Sequence, residues 1–408
     1  MTKFIKNTFI IFFILIIFTS KGFSQKSIII FKNDYSNNYM NYAIYDLIIK
    51  NIFLYSNLKI INSYSNYSSY NKIKSQIKKL TINNNANISI AYQIQNFKNG
   101  ILINYIIFDN EKPNEWIEKS VYSKEEDLFI SINKILKDIY EISKIKNKIT
   151  YIKEKDYISL LGYYSQKIIL TNNEDNIYKL FYDFHKDNIY FNIDYLEYLT
   201  DKSDRTSVDI INDLINNMQN YINKKKNHYY LYSLGCMHYG KYKVNVILSD
   251  IEASIENYNK ALKLKNNYYK YYYRLANAYI LKNDYDNAIK YYEEAIKLNE
   301  YDINIIKEFV SLLKRDINKN GNEVISYLKK IIEINKNDEE ALEEISKLYE
   351  KIGDYDNALI YYNKLFEVIN YNLYIINNET KDADAYDRYI LKRNSIKLNI
   401  ESLKNKIF

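Results

Sequence analysis

The sequence predicts an α+β protein made of a signal peptide, a small α/β domain with a mixed sheet and helices, and an all-α superhelical solenoid. Three observations lead to this prediction. The 408 residues contain one Pro and seven Gly, a composition that favours long uninterrupted helices. Apolar runs of strand length lie between residues 26 and 123. The C-terminal half repeats a helical pattern at intervals of about 34 residues.

The N-terminus has the three parts of a signal peptide. Basic residues within Met1–Lys6 precede an apolar run from Phe9 to Phe18, which is too short to span a bilayer comfortably. Gly22 and Ser24 then place small residues at −3 and −1 of a cleavage site before Gln25. We expect a signal peptide at residues 1–24 and export to the periplasm or outside the cell, with an uncleaved anchor as the alternative. The mature chain has no other apolar stretch of membrane length, so we expect it to contain no membrane span.

Composition and charge argue against nucleic acid as a partner. Codons rich in A and T account for the excess of Ile, Asn, Lys and Tyr, so the 47 Tyr do not by themselves indicate a ligand surface. The formal net charge of +7 becomes +4 when Lys3, Lys6 and Lys21 leave with the signal peptide. Because the other basic residues are interleaved with Asp and Glu, we expect no nucleic-acid binding.

Residues that could carry chemistry are sparse. The single Cys236 cannot form an intramolecular disulfide. His228, Cys236 and His238 lie close in sequence, but Cys236 and His238 point in different directions on one helix and a fourth ligand is missing. Neither a Gly-rich phosphate loop nor a Gly-x-Ser-x-Gly motif occurs. We therefore expect no metal site, no cofactor and no catalytic residues.

Residues 25–145 are predicted to form the small α/β domain. Asn99-Gly100 joins two of its strands as a tight hairpin, because both residues tolerate positive φ. An apolar stripe that includes Leu128, Ile132 and Ile139 marks the last helix. The predicted elements are, in order, strand Ser27–Phe31, helix Asn38–Phe53, strand Leu58–Ile61, helix Tyr70–Leu80, strands Ala86–Phe97, Ile101–Phe108 and Trp116–Tyr122, and helix Glu125–Ile142.

This element order, the opening run Ser27–Phe31 and the hairpin that starts at Ala86 resemble the α/β domain at the amino terminus of TolB and in curli- and flagellum-associated envelope proteins. In that family the domain is a structural or assembly module without catalytic residues. The resemblance therefore implies an assembly role for residues 25–145.

Residues 269–302 carry the clearest copy of the repeat. Large side chains alternate with small ones at helical spacing, and the small ones allow two antiparallel helices to approach closely. The pattern consists of Tyr272, Leu275, Ala276 and Tyr279 in the first helix and of Ala288, Tyr292 and Ala295 in the second. Asp284 is a suitable N-cap for the second helix. The segment resembles a tetratricopeptide repeat, although Glu300 stands where that family usually has Pro.

The same spacing predicts further units. We expect repeats at about 228–268, 269–302, 303–338 and 339–368, with an insertion between helices at Lys241–Ser249 and a loop expansion at Asn318–Asn322. Residues 146–227 are predicted to be a helical connector, with degenerate tetratricopeptide hairpins as the more specific hypothesis. Residues 369–408 are predicted to form a capping helix with Tyr389, Ile390, Ile396, Leu398 and Leu403 on its apolar face.

A candidate partner-binding groove follows from the resemblance. In tetratricopeptide proteins the first helix of each unit lines the concave face, which implies that Lys270, Tyr273, Arg274 and Asn277 point toward it. Lys270 and Arg274 lie one turn apart and could hold a carboxylate, and Asn277 could bond a peptide backbone. The alternative is simple solvation of these polar groups.

Three functional hypotheses remain open. The first is an exported, non-catalytic scaffold that binds other proteins or peptides in the bacterial cell envelope. The second is an envelope enzyme with an unrecognised active site in the α/β domain. The third is a self-assembling structural protein. The sequence does not predict the oligomeric state.

Overall fold

The computed structural model describes residues 27–31, 39–56, 58–61, 77–79, 81–82, 86–97, 100–112, 116–124, 126–144, 188–218, 227–380 and 382–407, with isolated positions at 152, 157, 160, 163, 178, 181, 182 and 185. The predicted signal peptide lies outside the described residues. The chain folds as two units, residues 1–274 and 275–408, whose boundary falls within one helix.

The first unit begins with a five-stranded mixed sheet in the order β2-β1-β3-β4-β5. The central β1 pairs in parallel with β2 and β3, whereas β3–β4 and β4–β5 are antiparallel. The elements of this domain are β1 Ser27–Phe31, α1 Tyr39–Tyr55, β2 Lys59–Ile61, β3 Ile88–Phe97, β4 Gly100–Asp109, β5 Trp116–Ser123 and α2 Leu128–Ser143. The mixed sheet with helices is therefore confirmed. Most of the predicted helix Tyr70–Leu80 lies outside the described residues.

Alternation along the strands sends one set of side chains toward α2. The buried Tyr105 of β4 donates its hydroxyl to Asp138 Oδ2 of α2 at 2.6 Å, and Lys119 of β5 contacts both oxygens of the same carboxylate. The apolar stripe of α2, with Leu128, Ile132 and Ile139, is fully buried as predicted. The predicted hairpin is present, because Phe97 pairs directly with Gly100 across a two-residue connection.

Among the described residues that follow in the first unit are the helices α3 Ile189–Lys202, α4 Arg205–Met218, α5 His228–Asn245 and α6 Leu248–Leu264. The predicted insertion at Lys241–Ser249 is not a loop. The segment contains no Pro or Gly, so α5 continues to Asn245 and α6 starts at Leu248. The added residues lengthen a helical hairpin.

The turn between α5 and α6 stores backbone strain. Val246 has φ 57°, in the left-handed region that disfavours β-branched residues, and its side chain is 70% exposed. Val246→Gly should therefore raise the unfolding free energy by about 1 kcal/mol, because strain is removed and almost no packing is lost. Urea denaturation of parent and variant measures this; a destabilised variant would show that Val246 packs against something essential.

The α5–α6 hairpin depends on the small residue Gly235. A Cβ at this position would lie 2.4 Å from ring atoms of the buried Tyr258, whereas a Cβ at Gly321, in a helix of the second unit, would meet nothing within 4 Å. We expect Gly235→Ala to cost about 1–3 kcal/mol through overpacking. Gly321→Ala should instead stabilise by about 0.5–1 kcal/mol through helix propensity. Equal effects in thermal denaturation would contradict this assignment.

The first helix of the best repeat, α7 Tyr269–Leu281, contains the boundary between the units. The remaining helices are α8 Tyr285–Leu298, α9 Ile303–Leu313, α10 Ile317–Ile334, α11 Glu339–Lys351, α12 Tyr355–Ile375 and α13 Ala383–Ile407. Ala276, Ala288 and Ala295 are fully buried, as the helix-packing argument requires. The predicted loop expansion at Asn318–Asn322 is wrong: a 3₁₀ turn, Lys314–Asp316, absorbs the extra length and α10 already starts at Ile317.

Aspartates begin successive helices of the second unit. The side chain of Asp284 accepts a bond from the backbone N–H of Asn287 as predicted, which satisfies one of the free donors of the first turn. The same arrangement recurs at Asp302, Asp316, Asp338 and Asp354.

The last helix, α13, packs on α12 through Ile396, Ile400 and Leu403. Leu398 was predicted to belong to this apolar face, but it is 65% exposed. Ile396, Ile400 and Leu403 follow i, i+4, i+7 spacing, which leaves Leu398 on the opposite side of the helix. No helix in the described part of the chain is long and apolar enough to cross a membrane.

Candidate functional site

The first turns of α7 place Lys270 and Arg274 against α3, within the first unit. Arg274 is only 2% exposed, and its guanidinium bonds Glu197 Oε2 at 2.9 Å and Asp201 Oδ1 at 2.5 Å. Lys270 Nζ lies 3.5 Å from the same Glu197 oxygen. The carboxylate that these two cations hold is therefore one of this chain's own.

Helix α3 presents its acids on one face. Asn188 caps the helix by accepting bonds from the backbone of Tyr190 and Phe191. Asp194, Glu197 and Asp201 then follow at intervals of three and four residues, which align along one stripe of an α-helix. The stripe faces the basic first turns of α7.

A cavity of about 580 Å³ opens beside this stripe, a volume within the usual range for ligand pockets. Its walls combine carboxylates, ammonium groups and aromatic rings: Tyr178, Asp194, Glu197, Tyr198, Asp201, Lys202 and Lys270. The Tyr178 and Tyr198 ring centroids are 4.9 Å apart. Asp201 is 62% exposed, so one carboxylate of the network remains accessible at the rim.

The buried part of this network is charged. Burial would raise the pKa of Glu197, but the positive charges of Lys270 and Arg274 and the hydroxyl of Tyr232 outweigh burial and hold the pKa below its usual range. Burial would lower the pKa of Arg274, but Glu197 and Asp201 together with Tyr232 raise it well above its usual value. Glu197 and Arg274 are thus both ionised at neutral pH, and their ion pair holds α3 and the first turns of α7 together.

The network continues to the α/β domain through α1. Lys50 Nζ lies 2.9 Å from Asp194 Oδ1 and 2.7 Å from Asp46 Oδ2. The amide of Asn51 donates to Tyr190 of α3 and accepts from Tyr140 of α2. Polar contacts therefore connect the sheet domain with the helices of the first unit.

The buried amine of Lys265 binds the carbonyl oxygens at the C-terminal end of α1. Lys265 Nζ donates to the carbonyl oxygens of Phe53 at 2.7 Å and of Ser56 at 2.9 Å, which lie at the C-terminal end of α1. Helix ends carry unpaired carbonyls and partial negative charge, so a lysine stabilises this terminus. The ring of Phe53 contacts His228, Tyr229, Tyr268 and Tyr271.

Burial changes the acid–base properties at this junction. It lowers the pKa of Lys265 to about 7. Burial together with the nearby Lys265 lowers the pKa of His228 to about 3. His228 Nδ1 lies 2.7 Å from the Tyr271 hydroxyl, an arrangement that a neutral imidazole satisfies by accepting the proton of the hydroxyl.

The other two predicted groove residues are half-buried. The ring of Tyr273 lies 5.2 Å from the Arg274 guanidinium carbon. In the second unit, Asn277 Oδ1 accepts a bond from the Tyr292 hydroxyl at 2.5 Å. The structure thus brings Lys270, Tyr273 and Arg274 together in the first unit.

In the second unit, charged side chains form ion pairs between neighbouring helices. Lys307 contacts Glu340 at 2.8 Å and Asp338 at 3.1 Å, and Lys314 contacts Glu344. Lys392 of α13 lies 2.7 Å from Glu339. These charges are largely neutralised within the unit.

Among the described residues, no group of three or more His, Cys, Asp or Glu is placed to hold a metal ion. Cys236 is fully buried, and burial raises the pKa of its thiol to about 11, so it is a poor nucleophile. His238 Nδ1 lies 3.3 Å from Asp250 Oδ1, on the other side of α5.

Asp194, Glu197 and Asp201 were not among the site residues predicted from the sequence. Their spacing on a helix was a usable signal, because three acids on one stripe without intervening lysines are unfavourable unless cations face them. Arg274, which contacts Glu197 and Asp201, lies 77 and 73 residues after them, and Asp194 contacts Lys50 of the distant α1, so local patterns do not show these pairs.

Two segments, residues 269–302 and 339–372, match family models described as tetratricopeptide repeat. The C-terminal half therefore carries tetratricopeptide repeats, and the unit predicted at 269–302 is confirmed. No curated protein matches the sequence.

Solved structures give weaker likenesses. A structure entitled "Crystal structure of MamA" is 21% identical, covers 39% of this chain and 88% of its own, with a TM-score of 0.31. A second MamA structure is also 21% identical, covers 47% of this chain and 95% of its own, with a TM-score of 0.32. A structure entitled "Crystal structure of YrrB: a TPR protein with an unusual peptide-binding site" is 16% identical. The match covers 46% of this chain and 89% of that structure's chain, with a TM-score of 0.29.

Proposed function

We propose that this protein is an exported, non-catalytic scaffold that binds other proteins or peptides in the cell envelope. The observation that carries the proposal is the match of two segments to tetratricopeptide repeats, whose usual role is protein interaction. The α/β domain, which resembles the TolB amino-terminal module, docks one envelope component. The helical repeats hold another.

The cavity between α3 and α7 is the contact point in this scheme. Arg274 is buried and paired with Glu197, and this ion pair supports the wall of the cavity. Lys270, Lys202 and Asp201 line the cavity and are more accessible, and a polar peptide segment could exchange bonds with them. Because cations and carboxylates are nearly balanced there, we expect recognition through matched polar groups.

The test uses the chain from Gln25 onward as bait in envelope extract. Lys202→Gln combined with Lys270→Gln should reduce capture of reproducible partners at least about fivefold, because both substitutions remove charge without adding bulk. Lys347→Gln, on an exposed pair in the second unit, is the matched control. Equal capture by the double variant would reject the cavity as the contact point.

Export and absence of catalysis have their own tests. Cell fractionation with N-terminal sequencing should find the mature chain beginning at Gln25 in the envelope or medium. A cytoplasmic chain that begins at Met1 would contradict export. Turnover of envelope polymers by the purified chain would contradict a non-catalytic role.

A further inference from the structure

The face of the sheet opposite α2 changes character along its length. At one end it is covered: Ala91, Ile106 and Phe108 are fully buried, and Ser89 shares a hydrogen bond with Thr81 of the segment above it. Farther along the same strands the side chains are half-buried or exposed, and amide and hydroxyl groups appear among them. The transition occurs within one continuous face, because residues two apart on a strand point the same way.

Pairing register arranges the open part in rows. Gln93, Asn104 and Ser120 form the first row, across β3, β4 and β5. Gln95, Leu102 and Tyr122 form the second row, and Phe97 opposite Gly100 forms the third. We name these residues the open face.

Two aromatic rings lie at the far end of the open face. Phe97 is 56% exposed and Tyr122 is 53% exposed, unusual values for large rings on a sheet. A Cβ at Gly100 would lie 2.7 Å from the Tyr122 hydroxyl oxygen and 2.9 Å from its Cζ. The tip of the Tyr122 ring therefore rests on bare backbone at Gly100, and the ring lies along the sheet with its outer side in solvent.

The chemistry of the open face is neutral. It offers three amide side chains and a serine hydroxyl, which both donate and accept hydrogen bonds. Ser120 Oγ lies 2.6 Å from Asn104 Oδ1, so the row is pre-ordered. Glu118, in the adjoining row, is the nearest charged residue on these strands that shares this side of the sheet.

We propose that the open face binds a neutral oligosaccharide, with a sugar ring stacked on Tyr122 and Phe97 and sugar hydroxyls bonded to Gln93, Gln95 and Asn104. A pyranose ring has an apolar C–H side that suits the electron-rich side of an aromatic ring, and hydroxyls at its edge that match amides. None of the described residues of the open face carries a positive charge that would attract an anionic ligand. A protein partner would favour larger apolar and Arg side chains than this face carries.

Calorimetric titration of the chain from Gln25 with cellohexaose and with chitohexaose tests the proposal. We expect at least one to bind with a dissociation constant of about 0.1–1 mM. Tyr122→Ala should weaken that binding at least about tenfold, whereas Tyr122→Phe, which keeps the ring, should stay within about twofold. A heparin-derived hexasaccharide, which is anionic, should not bind.

Tyr374→Ala is the matched control, because Tyr374 is another exposed tyrosine, far from the sheet in sequence. It should bind like the parent chain. The proposal is overturned if neither neutral hexamer binds, if Tyr122→Ala binds as tightly as the parent, or if the heparin fragment binds more tightly than the neutral sugars. Circular dichroism of Tyr122→Ala should match the parent, since the ring is surface-exposed.

Discussion

Replacement of Arg274 by Ala should lower the unfolding free energy by about 3–5 kcal/mol, because it leaves the largely buried Glu197 carboxylate without its main cation. Removing one partner of a buried ion pair costs more than removing both, since the remaining charge is still desolvated. Urea denaturation followed by circular dichroism measures the change.

The double variant Arg274→Met with Glu197→Gln separates charge from packing. It should recover a substantial part of the lost stability, because the two most buried charges of the site are removed together and the remaining Lys270 and Asp201 are more exposed to water. Lys347→Ala, which breaks the exposed pair with Glu343, should cost less than about 0.5 kcal/mol. A cost below about 1 kcal/mol for Arg274→Ala would mean that water reaches the Glu197 site freely.

Acid should weaken the protein through His228. Burial and Lys265 lower the pKa of this imidazole from 6.5 to about 3 in the folded chain. As pH falls below 6.5 the unfolded chain binds a proton that the folded chain refuses until about pH 3, so stability is lost across that window. The expected loss from this residue is about 2 kcal/mol between about pH 7.5 and pH 5.

Urea midpoints of the parent chain and of His228→Gln at these two pH values measure the effect, which should be smaller in the variant. Proton NMR of the His228 ring in the folded protein provides a direct check. A titration midpoint near 6.5 would show that the imidazole is solvated and would remove the basis of the prediction.

Lys265 should make the stability of the protein rise with pH in the alkaline range, in the same direction as His228 does in the acidic range. Its pKa is about 7 in the folded chain and 10.5 in the unfolded chain, so between these values the unfolded chain binds more protons and stability rises with pH. Lys265→Met should flatten this rise. A variant with the parent's slope from pH 7 to pH 10 would contradict burial of the amine.

The local residue pattern was sufficient to predict most of the helices and strands and the helical repeat. Ala276, Ala288 and Ala295 predicted close helix contacts and are fully buried, because small residues at helical spacing have few other roles. Asn99-Gly100 predicted a hairpin, and Phe97 pairs with Gly100. Helix ends were less predictable: the segments near Lys241 and Asn318 became helix, since neither contains Pro and the single Gly321 costs only about 1 kcal/mol inside a helix.

The candidate site was only partly predictable. Lys270 and Arg274 were identified from their place in the repeat, yet their partner is Glu197, 77 residues before Arg274. Lys265 reaches the carbonyl of Phe53 across 212 residues. The helical spacing of residues does not predict such long-range pairs, because they depend on how α1, α3 and α7 pack.

Periodicity and turn residues act within a few residues of one another, so the amino-acid pattern was enough to predict a mixed-sheet domain followed by tetratricopeptide repeats. The burial of Arg274 beside Glu197 and the contact of Lys265 with the end of α1 were visible only once the helices were packed. The charge state and exposure of a side chain depend on which distant groups replace water around it.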